Sequence, residues 1–367
     1  MKDTNQAYWS EYSNLQFIKH KLVSEYLKGW FPKLGFWSGR ILYIDTHAGR
    51  GKHMGGQEGS PLIALNTFLN HTSRDRILSR CEVKLIFIEL DELNAKQLRK
   101  EVDALGTLPN GVVCYIHTQN AFELLKNLAD HFETTNSKLA PCFMFIDPYG
   151  FRIPCKLLSR IKAHSQSELL ITVIWRELDM AMQHENRSSE LTRTLDTVFG
   201  GREWEGISKI PDFDARGEAA IQLFKTKIGA EWATYVRMLG ENQRTRYFLL
   251  HLSDHEAGRD LIKEVIWKCC PDGGYYARKR DDPKQQYLIE PTPDLRPLEK
   301  WLFEMLSRKP HTWKEMTEML RAEIWLEKHL WQVVRQQKDG KHIEASKFSG
   351  RYSQKANPTF SLVKPQR

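Results

Sequence analysis

No two of the six cysteines are spaced as a CxxC pair, and most of Cys81, Cys114, Cys142, Cys155, Cys269 and Cys270 sit in or beside apolar runs, where a thiol acts as a small core residue. That argues against a disulfide framework and against a structural zinc site; no metal is expected. No stretch reaches the roughly 18 uninterrupted apolar residues of a membrane span, and Met1-Lys2-Asp3-Thr4-Asn5-Gln6 is followed by no apolar signal core. A cytoplasmic protein without a membrane partner is the expectation. Two phosphate-binding loops, GxxxxGKS/T and GxGxxG, are missing too, as is any repeat of fixed period.

What is present suits a globular protein. Hydrophobic residues make up 41% of the 367, charged residues 27% and aromatic residues 11%, enough to bury a core and too much for disorder as the main state. At roughly 100 to 200 residues per domain, two or three domains are expected. Lys and Arg number 54 against 46 Asp and Glu, a net charge of +8 whose place along the chain matters more than its size.

Helical spacing of apolar residues predicts an N-terminal helix from Ser13 that ends near Gly29 or Pro32. Short apolar runs ending in a polar residue follow: Arg40 to Asp45, Val83 to Glu89, Val112 to His117 and Phe143 to Asp147, with helical stretches such as Leu93 to Leu105 and Ala121 to Phe132 between them. Strands almost wholly apolar, alternating with helices, imply an α/β fold with a parallel sheet covered on both faces. Leu169 to Trp175 and Arg246 to Leu252 are a fifth and a sixth strand candidate, and the stretch between them, about 180 to 240, reads as a helical insertion. Pro291, Pro293 and Pro297 mark a boundary, giving domains 1–290 and 291–367.

The segment Asp45-Thr46-His47-Ala48-Gly49-Arg50-Gly51 lies at the carboxyl end of the first strand, where an open α/β sheet places its ligand crevice. Its glycines let a bound group approach the backbone, or simply make a tight turn. Glu89 ends the second strand, placed to accept hydrogen bonds from vicinal ribose hydroxyls. Asn120-Ala121 after the third strand suits an adenine amino group, or is a helix N-cap. Asp147 follows the fourth. A nucleoside without phosphates fits this rim, and S-adenosylmethionine, with a positive sulfonium and amino group, tolerates the acids Asp45, Glu89 and Asp147.

DTHAGRG at 45–51, FIELDE with Glu89, and FMFIDPYGF with Asp147-Pro148-Tyr149-Gly150 together resemble a class I S-adenosylmethionine-dependent methyltransferase, and specifically the three-Cys-motif partner (TcmP) family. Lys19-His20-Lys21, Gly59-Ser60-Pro61 and the segment from His251 to Gly258 extend the resemblance over most of the chain. The DTHAG loop is also similar to that of ribosomal-RNA adenine-N6 methyltransferases. The resemblance implies a Rossmann-like fold, S-adenosylmethionine held by Asp45, His47, Ala48, Gly49, Gly51, Glu89, Asn120, Ala121 and Asp147, and association with a radical-SAM-like three-cysteine protein. It implies that Asp147, Pro148 and Tyr149 hold and stack a flipped base in amino methylation, with Phe151, Lys19, His20 and Ser60 near the substrate. The pattern is partial, with one proline and the aromatic residue one place early. Read from the residues alone, Asp147-Pro148 is also a strand-ending turn, Phe151 a core residue, Lys19-His20 a solvated helix face, and Ser60 an N-cap before a first-turn proline.

From Pro297 onward come three helical stretches, Pro297 to Leu306, a short one capped by Thr312, and Ile324 to Gln337, then two β-prone pieces around His342 and Phe360. That is the order of a winged helix-turn-helix. Residues 296 to 367 carry 15 Lys and Arg against 8 Asp and Glu, nearly all the surplus charge of the chain. DNA or RNA is the expected partner, met by Arg335 on the third helix and by Lys347, Arg351 and Lys355 in the wing. The rival expectations are a protein-contact module here, and for the whole chain a non-catalytic subunit that keeps the cofactor fold or a protein methyltransferase.

Overall fold

The computed structural model describes residue 9 and residues 12–240, 244–270, 275–276, 292–346, 353 and 355–363. The chain divides into two compact units, Met1–Val265 with Gly274–Gln286, and Ile266–Gly273 with Tyr287–Arg367.

The first unit is built on one sheet with strands β1 (Arg40–Asp45), β2 (Glu82–Glu89), β3 (Val112–Thr118), β4 (Leu139–Ile146), β5 (Ser165–Val173), β6 (Trp232–Leu239), β7 (Thr245–Ser253) and β8 (Tyr275–Tyr276). Its helices are α1 (Asn14–Gly35), α2 (Ser60–Leu69), α3 (Arg74–Leu78), α4 (Glu92–Asp103), α5 (Ala121–Thr135), α6 (Cys155–Ala163), α7 (Trp175–Gln183), α8 (Ser189–Phe199), α9 (Trp204–Ile207) and α10 (Phe213–Ile228). Helix α11 (Glu256–Cys269) follows β7. The strand order is β3-β2-β1-β4-β5-β7-β6-β8, with β1 to β5 parallel and β7 antiparallel to both β5 and β6. Strand order reverses between β1 and β4, and at such a switch point the connections leave on opposite faces and open a crevice at the carboxyl ends.

Side-chain alternation sends each strand to two cores. Leu42, Ile44, Met144, Ile146 and Ile171 join a cluster with Leu158, Trp175, Phe199 and Phe224 from the helices on one face. On the other face Tyr43 stacks on Phe143 at 6.0 Å, and Tyr26 of α1 lies 5.1 Å from Phe143. Each such buried ring contributes roughly 1.5–3 kcal/mol. Because Asp45 shares a face with Tyr43, it ends β1 on the side of α1 and α2.

Three expectations for the first unit need correction. Helix α1 passes Gly29 and Pro32 and stops at Gly35. Gly29 is a packing residue, since a Cβ there would lie 2.5 Å from Leu261, and the Lys28 carbonyl that Pro32 cannot bond lies 2.9 Å from His71 Nε2. The insertion is helical only to Ile228; after Gly229, in the left-handed region, Trp232–Leu239 is a strand with Thr234, Val236 and Met238 buried in alternation. Strand β5 stops at Val173, and Trp175 opens α7 with its ring 5.9 Å from Phe213 and 6.0 Å from Phe248.

The second unit orders its elements as α12 (Arg296–Arg308), β9 (His311–Thr312), α13 (Trp313–Leu320), α14 (Glu327–Asp339), β10 (Ile343–Ala345) and β11 (Thr359–Leu362). The strands form an antiparallel sheet in the order β10-β11-β9. Leu298, Leu302, Trp313, Leu330, Val333, Ile343 and Phe360 make its core. Thr312 and Glu315 close a reciprocal cap at the start of α13. The third helix starts at Glu327 rather than Ile324. The Trp267 indole donates to the Ile324 carbonyl at 2.9 Å, and the Leu326 N–H to His329 Nδ1 at 3.2 Å, so both backbone groups are engaged outside a helical ladder. Among the described residues no helix is long and apolar enough to cross a membrane.

Candidate functional site

Register places the acids on one rim. Asp45 pairs across from Phe87 and from Phe145, so Glu89 and Asp147 each lie two residues beyond the positions level with it. The loop after β1 is tied back to its neighbours: Thr46 N–H donates to Phe145 O at 3.0 Å and Ala48 N–H to Ile88 O at 2.9 Å. Glu89 anchors the glycine turn, accepting from Gly49 N–H at 2.7 Å on one oxygen and from Asp91 N–H at 2.8 Å on the other. Both glycines adopt positive φ, +65° at Gly49 and +88° at Gly51. The space a side chain would take is filled by protein: a Cβ on Gly49 would lie 2.4 Å from the Trp9 indole, and one on Gly51 would lie 3.0 Å from Leu98.

Asp147, immediately after β4, forms a salt bridge with Lys19 of α1, and the two side chains are 17% and 7% exposed. The fold thus joins two motifs 128 residues apart. Next to Lys19, His20 is buried and its Nδ1 lies 2.8 Å from the Tyr12 hydroxyl; Tyr12 also meets the His53 ring edge-on at 4.8 Å. Pro148 is buried, whereas Tyr149 projects with 66% of its surface exposed. Gly150 has φ +83°, which turns the chain so that Phe151 packs on the core.

Burial sets the electrostatics. Asp45, enclosed completely, is pushed up to about 7 by desolvation; the Ser60 hydroxyl and the His47 N–H counter this, while Asp147 and Glu89 add to it. Burial also raises Glu89, against the Asp91 and Gly49 N–H groups. Asp147 goes the other way: burial opposes its charge, but Lys19, the Thr172 hydroxyl and His20 hold it below the usual carboxylate range. His20 falls to about 3 and His47 to about 4, both chiefly by desolvation, so both imidazoles are neutral at pH 7.

The structure therefore brings together Lys19, His20, Asp45, His47, Ala48, Gly49, Ser60, Glu89, Asp147 and Pro148. Asn120 is exposed and caps α5, its side-chain oxygen accepting from Phe122 N–H at 2.9 Å and Glu123 N–H at 3.2 Å; Ala121 is the first residue of that helix. Phe151 serves the core. In the second unit Arg335 is exposed, its guanidinium 5.3 Å from the centre of the Trp331 ring, and Lys355 is exposed. Lys347 and Arg351 lie outside the described residues. Sequence reasoning missed Trp9, Tyr12, His53 and Thr172. Only the aromatic residues ahead of α1 gave any signal, and it was compositional.

No family model matches the chain, and no curated protein matches it. Similar solved structures exist. Protein LPL1258 of Legionella pneumophila superposes with a TM-score of 0.40 at 13% identity over 70% of this chain and 92% of that one. Trm1 of Pyrococcus horikoshii, solved with S-adenosyl-L-methionine, gives 0.39 at 12% identity over 97% and 92%. The putative methyltransferase YhhF of Escherichia coli gives 0.30 at 12% over 64% and 86%. Superpositions this loose assign no activity. The strand order and the reversed β7 stand by themselves as a mixed α/β, Rossmann-like sheet.

Proposed function

We propose that the protein is an S-adenosylmethionine-dependent methyltransferase that acts on an exocyclic base amine of nucleic acid. The observation that carries this reading is the salt bridge of Lys19 with Asp147 at the sheet's switch point, beside an exposed Tyr149 and on the same rim as the acids Asp45 and Glu89. The residues fit the cofactor. Each oxygen of Glu89 accepts one backbone N–H and the Asn94 side chain adds a third bond, which leaves the carboxylate an acceptor position for a ribose hydroxyl. Asp45, buried and short of compensation, is stabilised as an anion by a cationic ligand. When bound, the cofactor supplies an electrophilic methyl group on a sulfonium.

The chain's own residues position the nucleophile. A target amine donates one N–H to the Asp147 carboxylate and the other to the Pro148 carbonyl, and Tyr149 stacks on the base after it leaves its helix. Lys19 keeps Asp147 ionised, so Asp147 orients the amine as an acceptor. With its pKa held low it is a poor base, and the proton released once the N–C bond forms goes to water.

The second unit supports this reading as a winged helix-turn-helix. Its α-β-α-α-β-β order and three-stranded sheet suit that module, Arg335 and Gln336 of α14 are exposed, and the basic surplus lies in this part of the chain. Phosphate contacts predict a log affinity falling with log salt by about 0.9 per neutralised phosphate. Fluorescence anisotropy of the full chain with duplex DNA and with RNA at several salt concentrations measures that slope. A slope of zero removes nucleic acid as the partner.

One observation favours a second reading, a cofactor-fold subunit without turnover that partners a three-cysteine protein. Trp9 packs on Gly49, one of the residues expected to hold the cofactor. Calorimetric titration with S-adenosylmethionine separates binding from its absence. Methyl transfer from labelled cofactor into DNA, RNA and protein separates an enzyme from a subunit.

A further inference from the structure

A cavity of about 690 Å³ opens at the other edge of the sheet, lined by Tyr26, Trp30 and Trp37 of α1 and the turn after it, by Glu168 of β5, and by Gly258 and Leu261 of α11. The volume suits a small molecule. Inside stands Glu168, which takes no part in the site beside Asp147. Among the described residues two side chains bond to it, the Tyr26 hydroxyl and His251 Nε2 at 3.1 Å, and both reach Oε2. Tyr26 and His251 are buried.

Other charges on the wall are answered locally. Lys162 forms a salt bridge with Asp254, and Lys33 is exposed. The start of α11 is capped by His255, which accepts from Ala257 N–H at 3.0 Å on Nδ1 and from Gly258 N–H at 3.0 Å on its carbonyl, so these amides are not offered to an anion. Two features keep the cavity accessible. A Cβ at Gly258 would lie 2.6 Å from Ser253 Oγ and 2.9 Å from Glu168 Oε2, so glycine here preserves the space around the carboxylate. Trp37 has 87% of its surface exposed, an indole that the fold does not bury.

We propose that this cavity is a second small-ligand site, which takes an organic cation with a flat apolar body. The cationic nitrogen bonds to Glu168 Oε1, while the exposed indole of Trp37 covers the apolar part and attracts the charge through its π face. Tyr26 and His251 both bond to Glu168 Oε2, so Oε1 is the carboxylate oxygen left for a ligand, and a cation with an aromatic body answers both halves of the wall.

The test uses the full chain, 2-phenylethylamine as probe and 2-phenylethanol as its neutral counterpart, followed by indole fluorescence and calorimetry. The amine binds saturably and at least about tenfold more tightly than the alcohol, the equivalent of one charge-assisted hydrogen bond. Glu168→Gln removes that preference, and Trp37→Ala, at an exposed position, weakens the amine by about threefold or more. Equal affinity for the two probes, no saturable binding of the amine at millimolar concentration, or a preference unchanged in folded Glu168→Gln overturns the proposal. If Glu168→Gln does not fold, the amine-to-alcohol ratio and Trp37→Ala decide it.

Discussion

Helix α1 meets a half-buried carboxylate at each edge of the same sheet, and the two meetings differ in one respect. Lys19 reaches Asp147 and Tyr26 reaches Glu168. The contacting residues are two turns apart on one helix face, about 10 Å along the axis. At the carboxyl edge the partner is a cation, so Asp147 is charge-compensated, held ionised and fixed in direction. At the amino edge the partners are a phenol and an imidazole, and both bond to the same oxygen of Glu168, which leaves the other oxygen for a ligand. A lysine bonded to the carboxylate makes it a positioning group, whereas two partners on one oxygen leave the other as a receptor.

The strongest way to break this comparison is to remove Asp147. Asp147→Ala lowers the single-turnover rate of methyl transfer by about 100-fold or more, as loss of a group oriented for the transition state does. It also takes the carboxylate from a buried ammonium, costing about 3 kcal/mol of stability in a urea titration. The double variant Lys19→Met with Asp147→Asn recovers most of that stability and none of the rate. Equal loss of stability in single and double variants means that the pair is not a compensated unit.

Glu89→Ala comes next. It lowers the affinity for S-adenosylmethionine by roughly 1.5–3 kcal/mol in calorimetry, the worth of hydrogen bonds to a charged acceptor. Because Glu89 also holds the Gly49 N–H, Glu89→Gln sharpens the result, since it keeps an acceptor for the loop while losing the charge.

A pH profile tests the third acid. Between about 4 and about 7 the folded protein holds a proton on Asp45 that the unfolded chain has released, so this group makes stability fall as pH rises through the window, by at most about 1.4 kcal/mol per unit. Asp45→Asn removes that fall. Binding of the cationic cofactor runs the opposite way, tightening as pH rises toward 7, because it favours the ionised form.

The smallest effect belongs to the amino edge. Tyr26→Phe deletes one hydrogen bond to Glu168 and costs about 1 kcal/mol in thermal unfolding, with the methylation rate unchanged. A change in rate places the two edges in one working unit.

Much of the carboxyl edge was legible because acids that end short apolar strands announce themselves locally: Asp45, Glu89 and Asp147 each follow such a run. Lys19 and His20 entered through a resemblance, since a pair closed across 128 residues leaves no local trace. Asn120 shows the converse, a polar strand end whose nearest duty is to cap the helix it begins. Strand β6 carried a period-two signal, Thr234, Val236 and Met238, but it followed directly on the helices and was read with them. The cavity around Glu168 was illegible because its wall comes from three distant segments, and within β5 Glu168 reads only as an acid at the start of an apolar run.

The proposed transfer of a methyl group onto a base amine at the carboxyl edge can be tested on its product. The most direct test supplies labelled S-adenosylmethionine to the full chain with DNA, RNA and protein pools and identifies the modified species by mass spectrometry. The account predicts label on an exocyclic nitrogen of a nucleoside with the native chain and none with Asp147→Ala. Label on a ring carbon, on ribose or on protein, or equal label from both chains, contradicts it.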